Sequence, residues 1–352
     1  MSEELNLNPE EQQVSREEES PVASPYEPEA AAHIARLDLQ PLQNSVEKVR
    51  AELRKVIVGQ AELIDELLIA LFAGGHVLIE GVPGIAKTLL ARMLAKTLKL
   101  KFSRLQFTPD LMPSDVLGTT VYNMKENDFS FVAGPVFAQI VLVDEINRAP
   151  AKTQSALFEV MEEHQATIDG TTYALGDLFF VVATQNPIEQ EGTYRLPEAQ
   201  LDRFFFLLKA DYPGLDDERA ILERFAQDFD QRVEDDVEAV LSEEEILKFR
   251  QLIEKIYVRS DLLGYIAEVV HKTREHPDLF LGASPRASLS IMKGAKAIAA
   301  LQGRDFVTPD DIRAVTFPVL RHRLILTPER EMEGLEVKHV VAEILEQIEV
   351  PR

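Results

Sequence analysis

The sequence predicts an α/β protein in which helices cover both faces of a parallel β-sheet and a helical domain follows. In the first half, short apolar runs bounded by glycine or polar residues alternate with helix-periodic segments, the pattern of a parallel sheet. The strand signals stop after Tyr212-Pro213-Gly214. From there on, helix-start signals follow one another, which indicates a second architecture.

These observations divide the chain into three predicted segments, residues 1–40, 41–212 and 213–352. Glutamate dominates the first segment, where Arg16 is the only base among the first thirty residues and prolines interrupt any helix. Such a stretch buries too little apolar surface to offset the entropy of ordering it. We therefore expect a solvated, disordered acidic tail rather than a dedicated binding arm.

The second segment contains three helix patterns, at residues 43–55, 60–73 and 87–98. Five apolar runs have the length and the boundaries of buried strands. These predicted strands are residues 76–80, 101–106, 139–144, 178–184 and 204–208. Because helices separate successive strands, we expect the strands to be parallel and covered on both faces.

Two hairpins interrupt this alternation. The dipeptide Asp169-Gly170 is a two-residue turn signal between residues 166–168 and 172–175. Residues 119–123 and 128–132 flank a second, polar turn. Each hairpin is either a plain surface excursion or an insert that faces a partner or a pore, and the sequence leaves both interpretations open.

The third segment carries three helix-start signals. Ser242 and Glu245 form a capping-box pattern before an apolar helix face. Ser284 and Thr308 are each followed by proline at the first helical position, and Asp311 completes a second box with Thr308. We therefore expect an all-helical domain.

Composition excludes several kinds of protein. The 352 residues include no cysteine, which excludes disulfides, thiol catalysis and cysteine-ligated metals, and the seven histidines are scattered. With 60 acidic against 37 basic residues, the formal net charge of -23 argues against duplex DNA as a partner. The acidic N-terminal residues do not resemble a signal peptide, and no apolar run is long enough for a membrane span. We expect a soluble, cytoplasmic protein.

The most specific functional motif is a phosphate-binding loop between a predicted buried strand and a predicted helix. It reads Gly81-Val82-Pro83-Gly84-Ile85-Ala86-Lys87-Thr88. Backbone N–H groups of such a loop cradle phosphate oxygens, Lys87 supplies charge for the β- and γ-phosphates, and the Thr88 hydroxyl is a ligand for Mg²⁺. Ala86 replaces the glycine of the strict pattern, and its methyl group could crowd the loop. A tight strand–helix turn without a ligand is the alternative.

An acidic pair, Asp144 and Glu145, ends another apolar strand. Parallel strands expose their C-terminal ends to one crevice, so Asp144 is expected near the phosphates, where it can hold Mg²⁺ through water. Glu145 is placed to orient or deprotonate the attacking water. Any strand can end in solvated acids, but together with the phosphate loop the pair becomes a specific signal.

Asn186, in Thr184-Gln185-Asn186-Pro187, follows a further apolar strand. Its side-chain amide can donate to the γ-phosphate or to the attacking water. For this tetrapeptide alone, a plain strand-ending turn would be the favoured interpretation, and the two preceding motifs reverse that preference.

Two arginines are candidates for stabilising the transition state. Arg203 precedes the last predicted strand, and in a ring of subunits its guanidinium would reach the neighbour's ATP. The alternative for Arg203 is an ion pair with Asp202, and Arg195 is a weaker candidate for the same role. Arg286 lies in a first helical turn, where a cation opposes the helix dipole, so an anion should be nearby. That anion is either the γ-phosphate of ATP bound in the other domain or an acidic side chain.

The order of these motifs resembles that of AAA+ ATPases, and their details resemble the MoxR family, in which alanine before the loop lysine is a familiar variant. The resemblance covers about residues 45–330 and leaves out the acidic tail. The matching segments are residues 56–60, 81–88, 144–149, 183–187, 196–204 and 284–287.

The resemblance implies a five-stranded αβα core with a helical lid. In such a fold the hairpin at residues 119–132 is the helix-2 insert, and the hairpin at Asp169-Gly170 is the pre-sensor insert. The resemblance further implies sensor roles for Asn186 and Arg286 and an arginine-finger role for Arg203.

Nucleotide binding by Val58, Gly59 and Gln60 on the adenine side, and by the loop residues through Leu89, also follows from the resemblance. So does assembly of identical chains into a ring, usually a hexamer. Members of the family are thought to act as chaperone-like ATPases, often with partners that carry a von Willebrand factor A domain.

The sequence therefore predicts an ATPase that uses Mg²⁺ and ATP to remodel or mature partner proteins. One alternative is a nucleic-acid motor, against which the net charge and the lack of a basic run in either hairpin argue. The other is an ATP-gated binding module with slow or no hydrolysis. Glu145 and Arg203 argue against that module, because both serve the transition state and neither is needed to bind ATP.

Overall fold

A computed structural model describes residues 36–82, 84–125, 127–186, 193–226 and 233–351. The predicted acidic tail lies almost wholly outside these ranges, and its disorder stays a prediction. Residues Leu37–Arg352 form one compact unit, so the predicted boundary after residue 212 also stays a prediction. Within the described ranges, no helix has both the length and the apolar character needed to cross a membrane.

The first half of the compact unit contains the predicted sheet and both predicted hairpins. The strands are β1 (Val77–Gly81), β2 (Phe102–Gln106), β3 (Gly118–Asn123), β4 (Asp128–Ala133), β5 (Ile140–Asp144), β6 (Gln165–Ile168), β7 (Thr171–Ala174), β8 (Phe180–Gln185) and β9 (Phe206–Ala210). Five of them form a parallel sheet in the order β2-β5-β8-β1-β9. The predicted sheet strands are confirmed, with ends shifted by at most two residues.

The register of this sheet brings several polar strand ends to one edge. Gln106 of β2 lies opposite Asp144 of β5, and Glu80 of β1 lies opposite Gln185 of β8. Because the strands are parallel, the segments that follow them emerge on the same side. The phosphate loop, the acidic pair and Asn186 follow these strands and lie at this edge.

Within the described ranges, seven α-helices accompany the nine strands of the first half and the connection that follows. They are α1 (Gln40–Val56), α2 (Ala61–Ala73), α3 (Lys87–Thr97), α4 (Pro113–Leu117), α5 (Ala151–Glu163), α6 (Glu198–Leu201) and α7 (Leu215–Phe225). Alternate strand residues enter different apolar clusters, with Leu142 in one and Val141 and Val143 in the other. The sheet is therefore buried on both faces, as the near-continuous apolar runs predict.

The two hairpins, β3–β4 and β6–β7, contact each other. The rings of Phe131 and Tyr173 stack with centroids 4.0 Å apart. Within the first hairpin, Tyr122 and Phe129 form an edge-to-face pair. These aromatic side chains pack against one another at the surface of the core.

The second half is helical, as predicted, apart from a small two-stranded sheet. Its helices are α8 (Glu243–Glu254), α9 (Ser260–Glu275), α10 (Pro285–Leu301), α11 (Pro309–Leu320), α12 (Pro328–Met332) and α13 (Val337–Gln347). The capping boxes at Ser242 and Thr308 are present, and the Ser284 hydroxyl accepts from the N–H of Arg286. Strands β10 (Leu279–Leu281) and β11 (Ile325–Leu326) are antiparallel, and the expectation of a purely helical domain is wrong at these residues. Such short strands carry no periodic signal.

Candidate functional site

The phosphate-binding loop connects β1 to α3. A Cβ atom at Gly81 would lie 2.5 Å from the carbonyl oxygen of Ala210 on β9, so a larger residue does not fit there. Gly84 and Ala86 adopt left-handed backbone conformations, with φ of 84° and 60°. Ala86 therefore adopts the conformation that the glycine of the strict pattern would favour, and its methyl group does not prevent the loop from forming. Pro83 lies outside the described residues.

A cleft of about 510 Å³ opens over this loop, a volume typical of small-molecule sites. Its described lining residues are Gly84, Ile85, Ala86, Lys87, Thr88, Leu89, Arg92, Arg104, Gln106, Asp144, Glu145, Thr184, Gln185 and Asn186. The structure thus brings together the predicted loop, the acidic pair and Asn186, although they come from three separate segments of the chain.

Lys87 projects from the start of α3, and its Nζ donates to the carbonyl oxygen of Gly81 at 2.5 Å. Burial lowers the pKa of Lys87, and the charges of Asp144 and Glu145 oppose that shift. A partly desolvated ammonium beside backbone N–H groups is suited to an anionic ligand.

Asp144 is almost fully buried at the end of β5, with its Oδ2 atom facing α3. The Thr88 hydroxyl donates to this oxygen at 3.4 Å. A hydroxyl and a carboxylate are oxygen donors of the kind that Mg²⁺ prefers, and the nearby cleft leaves room for phosphate oxygens and water as further ligands. The residues present therefore fit the metal that the family resemblance implies.

Arg104 contacts the same carboxylate and was not predicted from the sequence. Its Nε atom, on β2, donates to Asp144 Oδ2 at 2.6 Å. Arg104 and Gln106 are spaced two apart on β2, so their side chains lie on one face of the sheet. That alternation is the signal that could have identified both.

Glu145 is held in place by its backbone and its side chain. It has a left-handed backbone with φ of 55°, and its N–H donates to the Thr184 hydroxyl at 3.1 Å. Its Oε2 atom accepts from Gln106 Nε2 at 2.7 Å and from Arg148 Nε at 3.1 Å. The carboxylate of the predicted base is therefore engaged by two side chains from different elements.

The predicted adenine-side residues lie between α1 and α2, outside the lining of the cleft. Gly59 and Gln60 have φ angles of 69° and 53°. Gln60 Nε2 donates to the carbonyl oxygen of Ile85, which ties this segment to the phosphate loop. Its Oε1 is buried and has no hydrogen-bond partner among the described residues.

The structure places Arg203 and Arg286 together, but not at this cleft. Neither is among the described residues that line it. Arg203 Nη2 lies 3.0 Å from Glu162 Oε2, and Arg286 Nη2 donates to Glu162 Oε1. The expectation that Arg286 faces ATP bound in its own chain is not met in this arrangement, because the start of α10 lies beside the end of α5. The acidic side chain of the alternative interpretation is Glu162.

Asp202 has a different partner from the one considered in the sequence. It accepts from Arg323 Nε at 2.7 Å and from the Ser284 hydroxyl at 2.8 Å. The Arg323 side chain is 2% exposed and also donates to the carbonyl oxygens of Phe204 and Phe205. Asp202 therefore joins the core to the helical half, and Arg203 is left to pair with Glu162.

Two family models match the chain. The ATPase family associated with various cellular activities (AAA) matches residues 76–206, which include the phosphate loop, Asp144, Asn186 and Arg203. An AAA lid domain matches residues 271–347, which include Arg286.

Individual proteins match over most of the chain. YeaC of Bacillus subtilis is 46% identical over 314 residues, which are 89% of this chain and 96% of that protein. Chaperone MoxR1 of Mycobacterium tuberculosis is 41% identical over 318 residues, 88% of this chain and 83% of that protein. A crystal structure of a protein from Cytophaga hutchinsonii has a TM-score of 0.83 at 42% identity and covers 89% of this chain and 97% of the other.

Proposed function

The chain belongs to the MoxR family of AAA+ ATPases, and on this premise we propose that it binds ATP with Mg²⁺ and hydrolyses it to remodel partner proteins. One observation carries the proposal: Lys87, Thr88, Asp144 and Glu145 line a single cleft at the C-terminal edge of a parallel sheet. A strand-ending turn without a ligand would not require these four side chains to converge.

Nucleotide binding is assigned to the loop and its neighbours. The N–H groups of the loop and of the first turn of α3 bind the phosphates, and Lys87 exchanges the Gly81 carbonyl for a phosphate oxygen. Val58, Gly59 and Gln60 are assigned to the adenine side, as the family resemblance implies, and Gln60 is tied to the phosphate loop through the Ile85 carbonyl oxygen. Thr88 and Asp144 would hold Mg²⁺, which would supply positive charge against the phosphates.

Hydrolysis is assigned to Glu145 as the group that orients the attacking water and accepts its proton. Asn186, at the end of β8, lies in the same cleft and can donate its amide to the γ-phosphate or to that water. Gln106 and Arg148 hold one oxygen of Glu145, so they set the direction in which its carboxylate faces.

The two arginines support a ring rather than a self-sufficient monomer. Arg203 and Arg286 are partly exposed beside Glu162 and away from the cleft of their own chain. A phosphoryl transition state gains from a guanidinium that approaches its oxygens. We therefore assign both arginines to the ATP of a neighbouring subunit in a homo-oligomeric, hexameric ring.

The client is proposed to be a protein. One relative carries the name chaperone, and the family resemblance adds partners with a von Willebrand factor A domain. A nucleic-acid motor remains the second candidate from the sequence, and the chain's net charge of -23 disfavours it.

The proposal is tested with two cleft variants and one matched control. Lys87→Ala should abolish or severely weaken ATP binding in calorimetry. Glu145→Gln should bind ATP yet lose about 10²–10⁴ of its turnover, because an amide cannot take a proton from water. Glu163→Gln, an exposed glutamate on α5, is the control and should hydrolyse ATP like the wild type.

Turnover of Glu145→Gln at the wild-type rate would remove Glu145 from the base role, and unchanged ATP affinity in Lys87→Ala would refute the loop assignment. Stimulation of the wild-type ATPase by single-stranded DNA would favour the nucleic-acid motor. A pull-down with Glu145→Gln in ATP, which holds the ring in its ATP state, would identify protein clients.

A further inference from the structure

One glutamate near the end of α5 joins the two arginines that lie outside the cleft. Glu162 Oε2 is 3.0 Å from Arg203 Nη2, and its Oε1 accepts from Arg286 Nη2. Arg203 lies between α6 and β9, whereas Arg286 lies in the first turn of α10. The carboxylate therefore links three segments that are distant in the sequence.

The positive charges at this place need such a carboxylate. Two guanidinium groups that approach one another repel unless an anion lies between them. Lys293 and Arg323 line the same cavity of about 240 Å³, and the other carboxylate of its described lining, Asp202, is already bonded to Arg323. Glu162 is thus the group that compensates Arg203 and Arg286.

Both arginines keep donors for a second anion. A guanidinium has five N–H donors. Arg203 uses Nη2 for Glu162 and Nη1 for the carbonyl oxygen of Phe158 at 2.8 Å, and Arg286 uses Nη2 for Glu162. The side chains of Arg203 and Arg286 are 31% and 51% exposed. A triphosphate presented by another chain can therefore reach them while Glu162 stays bonded.

We propose that Glu162 is a positioning residue, which fixes the separation and direction at which Arg203 and Arg286 together meet the triphosphate of a neighbouring subunit. This inference rests on the proposed function, because it presupposes that Arg203 acts across a subunit interface. Long arginine side chains lose rotamer entropy when they are held, and Glu162 removes that entropy before the phosphate arrives. The expected gain is a faster hydrolysis step at the ATP of the neighbouring subunit.

Mixed rings test the proposal, because they separate the subunit that supplies the arginines from the subunit that hydrolyses ATP. In the reference mixture, Lys87→Ala subunits offer intact arginines and Arg203→Ala subunits offer working loops, and each variant alone should be inactive. Glu162→Gln is then introduced into either the Lys87→Ala subunit or the Arg203→Ala subunit. Glu163→Gln, the exposed next residue, is the matched control on each partner. Light scattering after size exclusion verifies co-assembly.

The expected result depends on which partner carries the substitution. On the Lys87→Ala subunit, Glu162→Gln should lower the kcat of the mixture by about tenfold to a hundredfold with little change in KM, since a misplacement of about 1 Å has an effect of that order. On the Arg203→Ala subunit its effect should be much smaller, because that subunit lacks Arg203 and already cannot supply the pair of arginines to a neighbour. Glu162→Asp, which keeps the charge, should recover part of the rate.

Two results with an active reference mixture would overturn the positioning role. Equal losses in both placements would show that Glu162 acts on folding or assembly, and no loss in either would show that the arginines do not need it. An inactive reference mixture despite proven co-assembly is a different failure: it refutes the trans-acting Arg203 itself, and the role of Glu162 falls with it.

Discussion

The ion pair between Arg104 and Asp144 predicts a competition with Mg²⁺. Arg104 Nε occupies the same Oδ2 atom that faces Thr88, so the metal must displace the guanidinium or share the oxygen with it. Replacing Arg104 by methionine removes the charge and keeps most of the length of the side chain. We expect Arg104→Met to bind ATP at a lower Mg²⁺ concentration than the wild type.

The size of the effect follows from the burial of the two partners. The Arg104 side chain is 50% exposed and that of Asp144 only 8%. Exposed ion pairs contribute about 0.2–1 kcal/mol, and hydrogen bonds to buried charged groups about 1.5–3 kcal/mol. An intermediate value of about 1 kcal/mol corresponds to roughly a fivefold lower Mg²⁺ midpoint.

The assay is a titration of Mg²⁺ at fixed protein and fixed fluorescent ATP analogue, which reads binding rather than turnover. Arg148→Met is the matched control, since Arg148 pairs with Glu145 at 3.1 Å and should leave the midpoint in place. An unchanged or raised Mg²⁺ midpoint in Arg104→Met would refute the competition. Weaker ATP binding without a change in the Mg²⁺ midpoint would instead indicate that Arg104 contacts the phosphates of ATP.

Three further predictions concern the base, a buried histidine and the link between the two halves. Gln106→Ala removes one of the two donors to Glu145 and should change kcat for ATP several-fold while calorimetry finds ATP affinity unchanged. Burial lowers the pKa of His76 to about 4 from 6.5, so the stability it contributes above pH 6.5 should be lost as pH falls toward 4. We expect a loss of about 3 kcal/mol in the free energy of unfolding, which urea unfolding at several pH values would measure. His76→Gln should make the free energy of unfolding less dependent on pH in this range. Asp202→Asn leaves the buried Arg323 without this countercharge and should lower the unfolding free energy by about 3 kcal/mol, whereas a change within about 0.5 kcal/mol would show that the carbonyl oxygens suffice.

The sequence by itself determined the elements that depend on neighbouring residues. The buried strands, the turn at Asp169-Gly170 and the capping boxes at Ser242 and Thr308 all follow from patterns a few residues long. The phosphate loop, the acidic pair and Asn186 follow too, because each comes directly after a parallel strand. The C-terminal ends of such strands share one edge, which is why the sequence also predicted that these residues converge.

Only the tertiary structure decided the partners of the charged side chains. The sequence suggested an ion pair between Arg203 and Asp202. In the structure Arg203 pairs with Glu162, and Asp202 pairs with Arg323. The structure likewise pairs Arg104 with Asp144, an ion pair that no local sequence pattern indicates. The physical reason is that an ion pair depends on distance in space rather than on spacing in the chain. Those distances are fixed by tertiary contacts, such as the pairing of β2 with β5 for Arg104 and Asp144 and the packing of the segment after α11 against the core for Asp202 and Arg323.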